Sequence, residues 1–229
     1  ERIAEFLVNT ETTSGQDFVD LATLSDGSIV AVWSSYDGLA DPFGRGIKAR
    51  IFNPDGTERV SEFLVNTETL NTQESPVVTA LANGGFVVIW GSNDQQGSDT
   101  ELSAIKARIF DADGNETVAE FLVNTIPNEN QTLPEVSALP DGGFVVVWES
   151  TDGLQGDVSG SGIKAQVHNA DGTVRASEFL VNEETFNAQA SPAVTTTADG
   201  GFLVTWQTRD RVDDTDSYGV KARYYNADG

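Results

Sequence analysis

Asn83-Gly84-Gly85-Phe86-Val87-Val88-Ile89-Trp90 is the stretch whose reading decides the fold. Side chains alternate between the two faces of an extended strand, so Phe86, Val88 and Trp90 share one side while Val87 and Ile89 share the other. Both faces are apolar, and both have to be covered by other parts of the protein. The Asn-Gly pair ahead of the strand supplies the positive φ of a tight hairpin, which pairs it antiparallel with the strand before it. The same signal stands at Ser25-Asp26-Gly27, Pro140-Asp141-Gly142 and Ala198-Asp199-Gly200, each followed by a strand that ends near Trp33, Trp148 or Trp206.

Working outward, the segment EFLVN occurs with its Phe at Phe6, Phe63, Phe121 and Phe179, at intervals of 57, 58 and 58 residues. Lys48, Lys106, Lys164 and Lys221 keep the same phase, as do Gln16, Gln73, Gln131 and Gln189. A fixed period of this length marks a repeat architecture. The chain therefore reads as a single repeat domain over 1–229, with repeats at about 5–61, 62–119, 120–177 and 178–229. In the second copy, strands are expected at 62–66, 75–81, 85–90 and 104–110, separated by Gly, Asn, Asp and Pro breakers. Four-stranded antiparallel units with doubly apolar central strands and no helices to cover them fit stacked blades. The expected fold is all-β, a four-bladed β-propeller.

The two ends suggest how such a ring closes. The first copy opens with EFLVN at 5–9, whereas the last copy stops after the strand at 220–225 and lacks its outer EFLVN segment. Residues 4–9 are expected to complete the last blade. The same complementarity can also act between chains, giving a fibre or a larger ring.

In plan the unit resembles kelch-like propeller blades. Its wording, EFLVNT…Gln…Pro…DGGFVVVW…IKAR…Phe…Asp-Gly, resembles the tandem repeats of large secreted bacterial adhesin-like proteins. That resemblance implies an extracellular or cell-surface location and calcium-binding repeats elsewhere in the parent protein. This chain holds no Gly-Gly-X-Gly-X-Asp run, so calcium by that mechanism is not supported here.

Composition narrows the chemistry. There are 36 acidic against 13 basic side chains, a formal charge of −23, which repels phosphate backbones and anionic lipids and favours cations. The apolar runs reach about five residues, far short of the ~20 that span a bilayer. Neither nucleic acid nor membrane insertion is expected. Cysteine is absent, which removes disulfides, thiol catalysis and zinc-thiolate sites. The start at Glu1 without any Met suggests a mature piece or an excised fragment.

Candidate sites follow the repeat. Trp33, Trp90, Trp148 and Trp206 read as interblade core or, alternatively, as a platform for stacking sugars. Gln16, Gln73, Gln131 and Gln189 read as loop-satisfying amides or as a polar ring at the axial channel. The loops after each Trp carry Asp37, Asp94, Asp152 and Asp210, with Asp99, Asp157, Asp213 and Asp214 beyond them; clustered hard oxygens suit Ca²⁺. The turn Asp111-Ala112-Asp113-Gly114-Asn115 matches half an EF-hand loop but has Leu122 where the Glu would stand. Lys48 and Arg50, with their copies, are expected to pair with Glu62 and its copies across an outer strand pair. His168 replaces Phe52, Phe110 and Tyr225, and is expected to act as an aromatic.

No catalytic motif stands out. The expected function is a non-enzymatic extracellular structural or adhesive module, Ca²⁺-stabilised, with self-association by strand exchange or glycans as partners. The alternative is a carbohydrate-binding propeller lectin with sites between blades. A glycosidase would require one acidic pair that differs from the other copies.

Overall fold

The computed structural model describes residues 3–12, 14–36, 38, 44–69, 71–93, 103–125, 129–151, 153, 160–209 and 218–229. Among them every regular element is a strand. The first sheet holds β1 (Gln16–Thr23), β2 (Ile29–Ser35), β3 (Gly46–Phe52) and β4 (Glu58–Leu64), in that spatial order. The second holds β5 (Gln73–Ala80), β6 (Phe86–Ser92), β7 (Ala104–Phe110) and β8 (Glu116–Leu122). The third holds β9 (Gln131–Ala138), β10 (Phe144–Ser150), β11 (Gly162–His168) and β12 (Val174–Leu180). The fourth has three strands, β13 (Gln189–Thr196), β14 (Phe202–Thr208) and β15 (Gly219–Tyr225). All pairings within the sheets are antiparallel.

The hairpins form where Asx-Gly stands. Gly27, Gly84, Gly142 and Gly200 adopt φ between +84° and +101°, a region that costs glycine nothing. The two-faced central strands find cover from neighbouring sheets. Val30, Val32, Ile47, Ala49 and Ile51 of the first sheet pack against Phe86, Val88, Trp90 and Phe110 of the second. Val87, Ile89, Ile105 and Ile109 then meet Phe144, Val146 and Trp148, and Val145, Val147 and Ile163 meet Phe202, Val204 and Trp206. Each fully buried side chain of this size contributes about 1.5–3 kcal/mol. The sheets are the blades of a β-propeller, stacked in chain order.

Polar stitching joins consecutive blades. Lys106 donates to Oε1 of Glu120 at 2.9 Å, and Oε2 of the same carboxylate accepts from the backbone N–H and hydroxyl of Thr67 at 2.6 and 2.7 Å. Arg108 donates to the Val65 carbonyl at 2.6 Å. Lys48–Glu62 and Lys164–Glu178 repeat the ion pair at 2.9 and 2.8 Å, as the sequence pattern leads one to expect. Burial alone would raise the Glu62 carboxyl. Bonds from the Thr10 N–H, Lys48 and the Thr10 hydroxyl outweigh that effect and hold it below the ordinary carboxylate range.

The expected ring closure requires correction. Residues 3–9 form no strand, and the last sheet ends at β15. The EFLVN segment at the start lies instead on the first blade, where Arg50 donates to the Val8 carbonyl at 2.7 Å and Phe6 meets Phe52 with ring centroids 5.5 Å apart. Thr10 donates to Glu62 from its N–H at 2.7 Å and its hydroxyl at 2.8 Å. These are the contacts that the tail of each blade makes with the blade after it. Side-chain contacts hold the segment here without any ladder of backbone bonds.

Candidate functional site

The Trp series is structural. Trp33, Trp90, Trp148 and Trp206 are 3, 0, 0 and 5% exposed, so no ring of stacking platforms exists and that reading is corrected. An indole N–H buried between apolar sheets needs an acceptor. The Gln series supplies it: Trp33, Trp90, Trp148 and Trp206 donate to Oε1 of Gln16, Gln73, Gln131 and Gln189 at 2.9, 3.2, 2.8 and 3.1 Å. The Gln side chains therefore face their own blades, which corrects the alternative reading of an axial ring of amides.

Asp37, Asp94, Asp99, Asp152, Asp157, Asp210, Asp213 and Asp214 all lie outside the described residues. Among the described residues no cluster of three or more His, Asp or Glu could hold a metal ion. The Asp111 turn is a hairpin, its Oδ1 accepting from the N–H groups of Asp113 and Asn115, both at 2.9 Å. His168 stacks on Phe144 at 5.0 Å and 6°, and burial pushes its pKa down.

The innermost strands carry a feature that the repeat pattern did not announce. Each has a bulge near its start, between Asp17 and Asp20, Glu74 and Val77, Thr132 and Glu135, and Ala190 and Ala193. At each bulge one residue other than glycine has positive φ: Phe18, Ser75, Leu133 and Ser191, at 51–53°. Pro76, Pro134 and Pro192 follow three of them. Proline is tolerated at these positions because the innermost strand is a sheet edge and its outer N–H groups need no partner.

The four bulges converge on one cavity of about 410 Å³. Phe18-Val19-Asp20, Ser75-Pro76-Val77, Leu133-Pro134-Glu135 and Ser191-Pro192 line it, one segment from each blade. Its wall is apolar apart from two carboxylates and the serines. Asp20 and Glu135 sit at equivalent places on the first and third blades, where the second and fourth have Val77 and Ala193. Desolvation raises the pKa of Glu135, and the charge of Asp20 raises it further. One oxygen of Asp20 accepts from the Val78 N–H at 2.8 Å, which fixes its orientation against the second blade. The signal for this pair was present in the sequence as two acids departing from the apolar residues of the other copies.

No protein-family model matches the chain, and no curated protein is similar to it in sequence. Solved structures do share its fold. A protein of unknown function from Dyadobacter fermentans superposes with a TM-score of 0.60 at 15% identity, over 96% of this chain and 63% of that one. An α-L-arabinanase from Penicillium chrysogenum, complexed with arabinobiose, gives 0.60 at 15%, over 91% and 62%. An endo-arabinase from Bacteroides thetaiotaomicron gives 0.53 at 13%, over 96% and 79%. The chain thus spans under two thirds of the length of the first two. At such identities what is shared is the propeller.

These likenesses correct the expectation of a non-enzymatic structural or adhesive module. It rested on the premise that a rigid, self-repeating β body suits presentation better than chemistry. Arabinan-cleaving enzymes built on the same blades remove that premise. The adhesin-like wording finds no counterpart in the comparisons. Among the described residues no helix is long and apolar enough to cross a membrane.

Proposed function

We propose that the chain is a carbohydrate-binding propeller that receives a neutral glycan in the axial cavity, outside the cell. The observation that carries this reading is the placement of Asp20 and Glu135 in one otherwise apolar pocket formed by all four blades. Sugar rings combine apolar C–H faces with hydroxyl donors, and such a wall complements both. Carboxylate acceptors make stronger hydrogen bonds to hydroxyls than neutral groups do. The formal charge of −23 selects against acidic polysaccharides.

Calorimetric titration with neutral oligosaccharides, arabinan fragments first, tests it. Binding should weaken at least tenfold in Asp20→Asn or Glu135→Gln with the melting temperature retained. Unchanged affinity in both variants would remove the axial site, and no binding across a neutral glycan panel would remove the function.

One observation favours a second reading, hydrolysis. A carboxyl that keeps its proton above the usual range, facing a second acid, is the pairing that glycoside cleavage uses. It also meets the requirement of an acidic pair unlike the other copies. Release of reducing ends from arabinan by the parent chain, lost in Glu135→Gln, would support it; binding without turnover would leave the lectin reading alone.

A further inference from the structure

We infer that the cleft between the second and third blades binds the guanidinium group of a small ligand, with Glu74 as its counter-ion. The junction before it, between the first and second blades, shows what such a group does. There Arg45 Nη1 donates to Oδ1 of Asp17 at 3.2 Å and its Nη2 lies 3.0 Å from Oδ2, while its Cζ stands 5.6 Å from the centre of the Phe18 ring. A planar guanidinium set against both oxygens of a carboxylate is the pairing that its fork of N–H groups matches. At this junction the protein supplies the cation itself.

Repeat phase puts Glu74 where Asp17 stands and Ser103 where Arg45 does. Backbone bonds mark the same equivalence: the Gln73 N–H donates to the Arg45 carbonyl at 2.9 Å, and the Gln131 N–H to the Ser103 carbonyl at 3.1 Å. With serine in place of the arginine, a cleft of about 280 Å³ opens, lined by Glu74, Ser75, Gly91, Asn93, Leu133 and Pro134 among others. Among the described residues no side chain pairs with the half-buried Glu74 carboxylate. Gly91 lies opposite Glu74 in the ladder and adds no side chain of its own. Leu133 and Pro134 offer an apolar wall to the faces of a guanidinium, which is weakly hydrated compared with an ammonium. The volume is at the small end of ligand pockets, which suits one such group rather than a length of polymer.

The junction after it, between the third and fourth blades, is built differently. Ser161 takes the place of Ser103, its carbonyl accepting from the Gln189 N–H at 2.7 Å. Glu149 stands where Gly91 does, and its carboxylate accepts from the Ser191 N–H at 3.4 Å across the junction. Thr132 there replaces the acid. Of these three junctions the middle one has the acid of the first without its arginine, and lacks the bridging glutamate of the last. Ser75, Leu133 and Pro134 also line the axial cavity, so the cleft lies beside it, and the cation binds whether or not a glycan occupies that cavity.

Titration of the chain with methylguanidinium at sub-denaturing concentrations, followed through backbone amide resonances, tests the site. We expect saturable shifts centred on Glu74, Ser75, Gly91 and Asn93, with affinity lowered about tenfold in Glu74→Gln. Ser103→Arg should abolish binding and raise the melting temperature, because the new side chain would pair with Glu74 as Arg45 does with Asp17. Tetramethylammonium carries the charge without an N–H donor and should not produce those shifts. Shifts that persist in Glu74→Gln, or that tetramethylammonium reproduces, would reduce the effect to the general pull of a chain with a formal charge of −23 and overturn the inference. Binding lost in Asp20→Asn but kept in Glu74→Gln would move the cation to the axial cavity, which also overturns it. So would the absence of any saturable shift in the unmodified chain.

Discussion

β7 and β15 have nearly the same sequence, Ala104-Ile-Lys-Ala-Arg-Ile-Phe110 and Gly219-Val-Lys-Ala-Arg-Tyr-Tyr225, and opposite surroundings. Ile105, Ala107 and Ile109 are fully buried, whereas Val220, Ala222 and Tyr224 are exposed. The difference comes from outside the strand. β7 has β8 at its edge and the third blade against its face, and β15 has neither. An apolar row on a propeller strand is core only when a next blade covers it.

The largest expected effect contrasts two glutamates. The Lys164 and Glu178 side chains are 1 and 2% exposed, so Glu178→Ala strips a buried ammonium of its carboxylate and should cost about 3–5 kcal/mol in chemical denaturation. Glu183 is 81% exposed beside Arg223, and Glu183→Ala should cost under about 1 kcal/mol. Next comes the strand pair itself. Ile105→Ala should lose about 2–5 kcal/mol and Val220→Ala about 0.5 or less. Equal losses would mean that β15 is covered in solution.

His168 offers a pH test. Burial lowers its folded-state pKa below the ordinary 6.5, so the unfolded chain binds the extra proton in the window between the two values. Its contribution to stability is complete above about pH 6.5 and fades as pH falls towards the lower folded value. His168→Phe, which restores the aromatic of Phe52 and Phe110, should flatten that decline and raise stability by about 1 kcal/mol. A slope unchanged by the substitution would show that the histidine titrates normally. The smallest expected effect repairs the third blade. Gln166 replaces the Arg of the other copies and its Nε2 is buried without a partner, while Val174, 51% exposed, replaces Glu58 and Glu116. Gln166→Arg with Val174→Glu should add about 0.5–2 kcal/mol, read as a higher melting temperature.

Much of the blade was readable from the residues because its causes are local or strictly periodic. Asx-Gly sets the hairpins, double apolarity places β6 and β10 between sheets, and Lys–Glu spacing anticipates the cross-strand pairs. The Gln–Trp bond was missed although both residues recur 17 positions apart in every copy, since hydrogen-bond geometry across a bulged strand cannot be read from spacing. Asp20 and Glu135 were missed for the opposite reason. They break the repeat, and a search for what recurs passes over them.

By itself the order of residues determined that four β units of about 58 residues stack with their Trp strands inside, because strand period, turn chemistry and repeat phase each act within one unit. Tertiary structure alone decided which carboxylates share a pocket and that the first EFLVN segment lies on the first blade. Both depend on how segments far apart in the chain meet, a relation that no local pattern encodes.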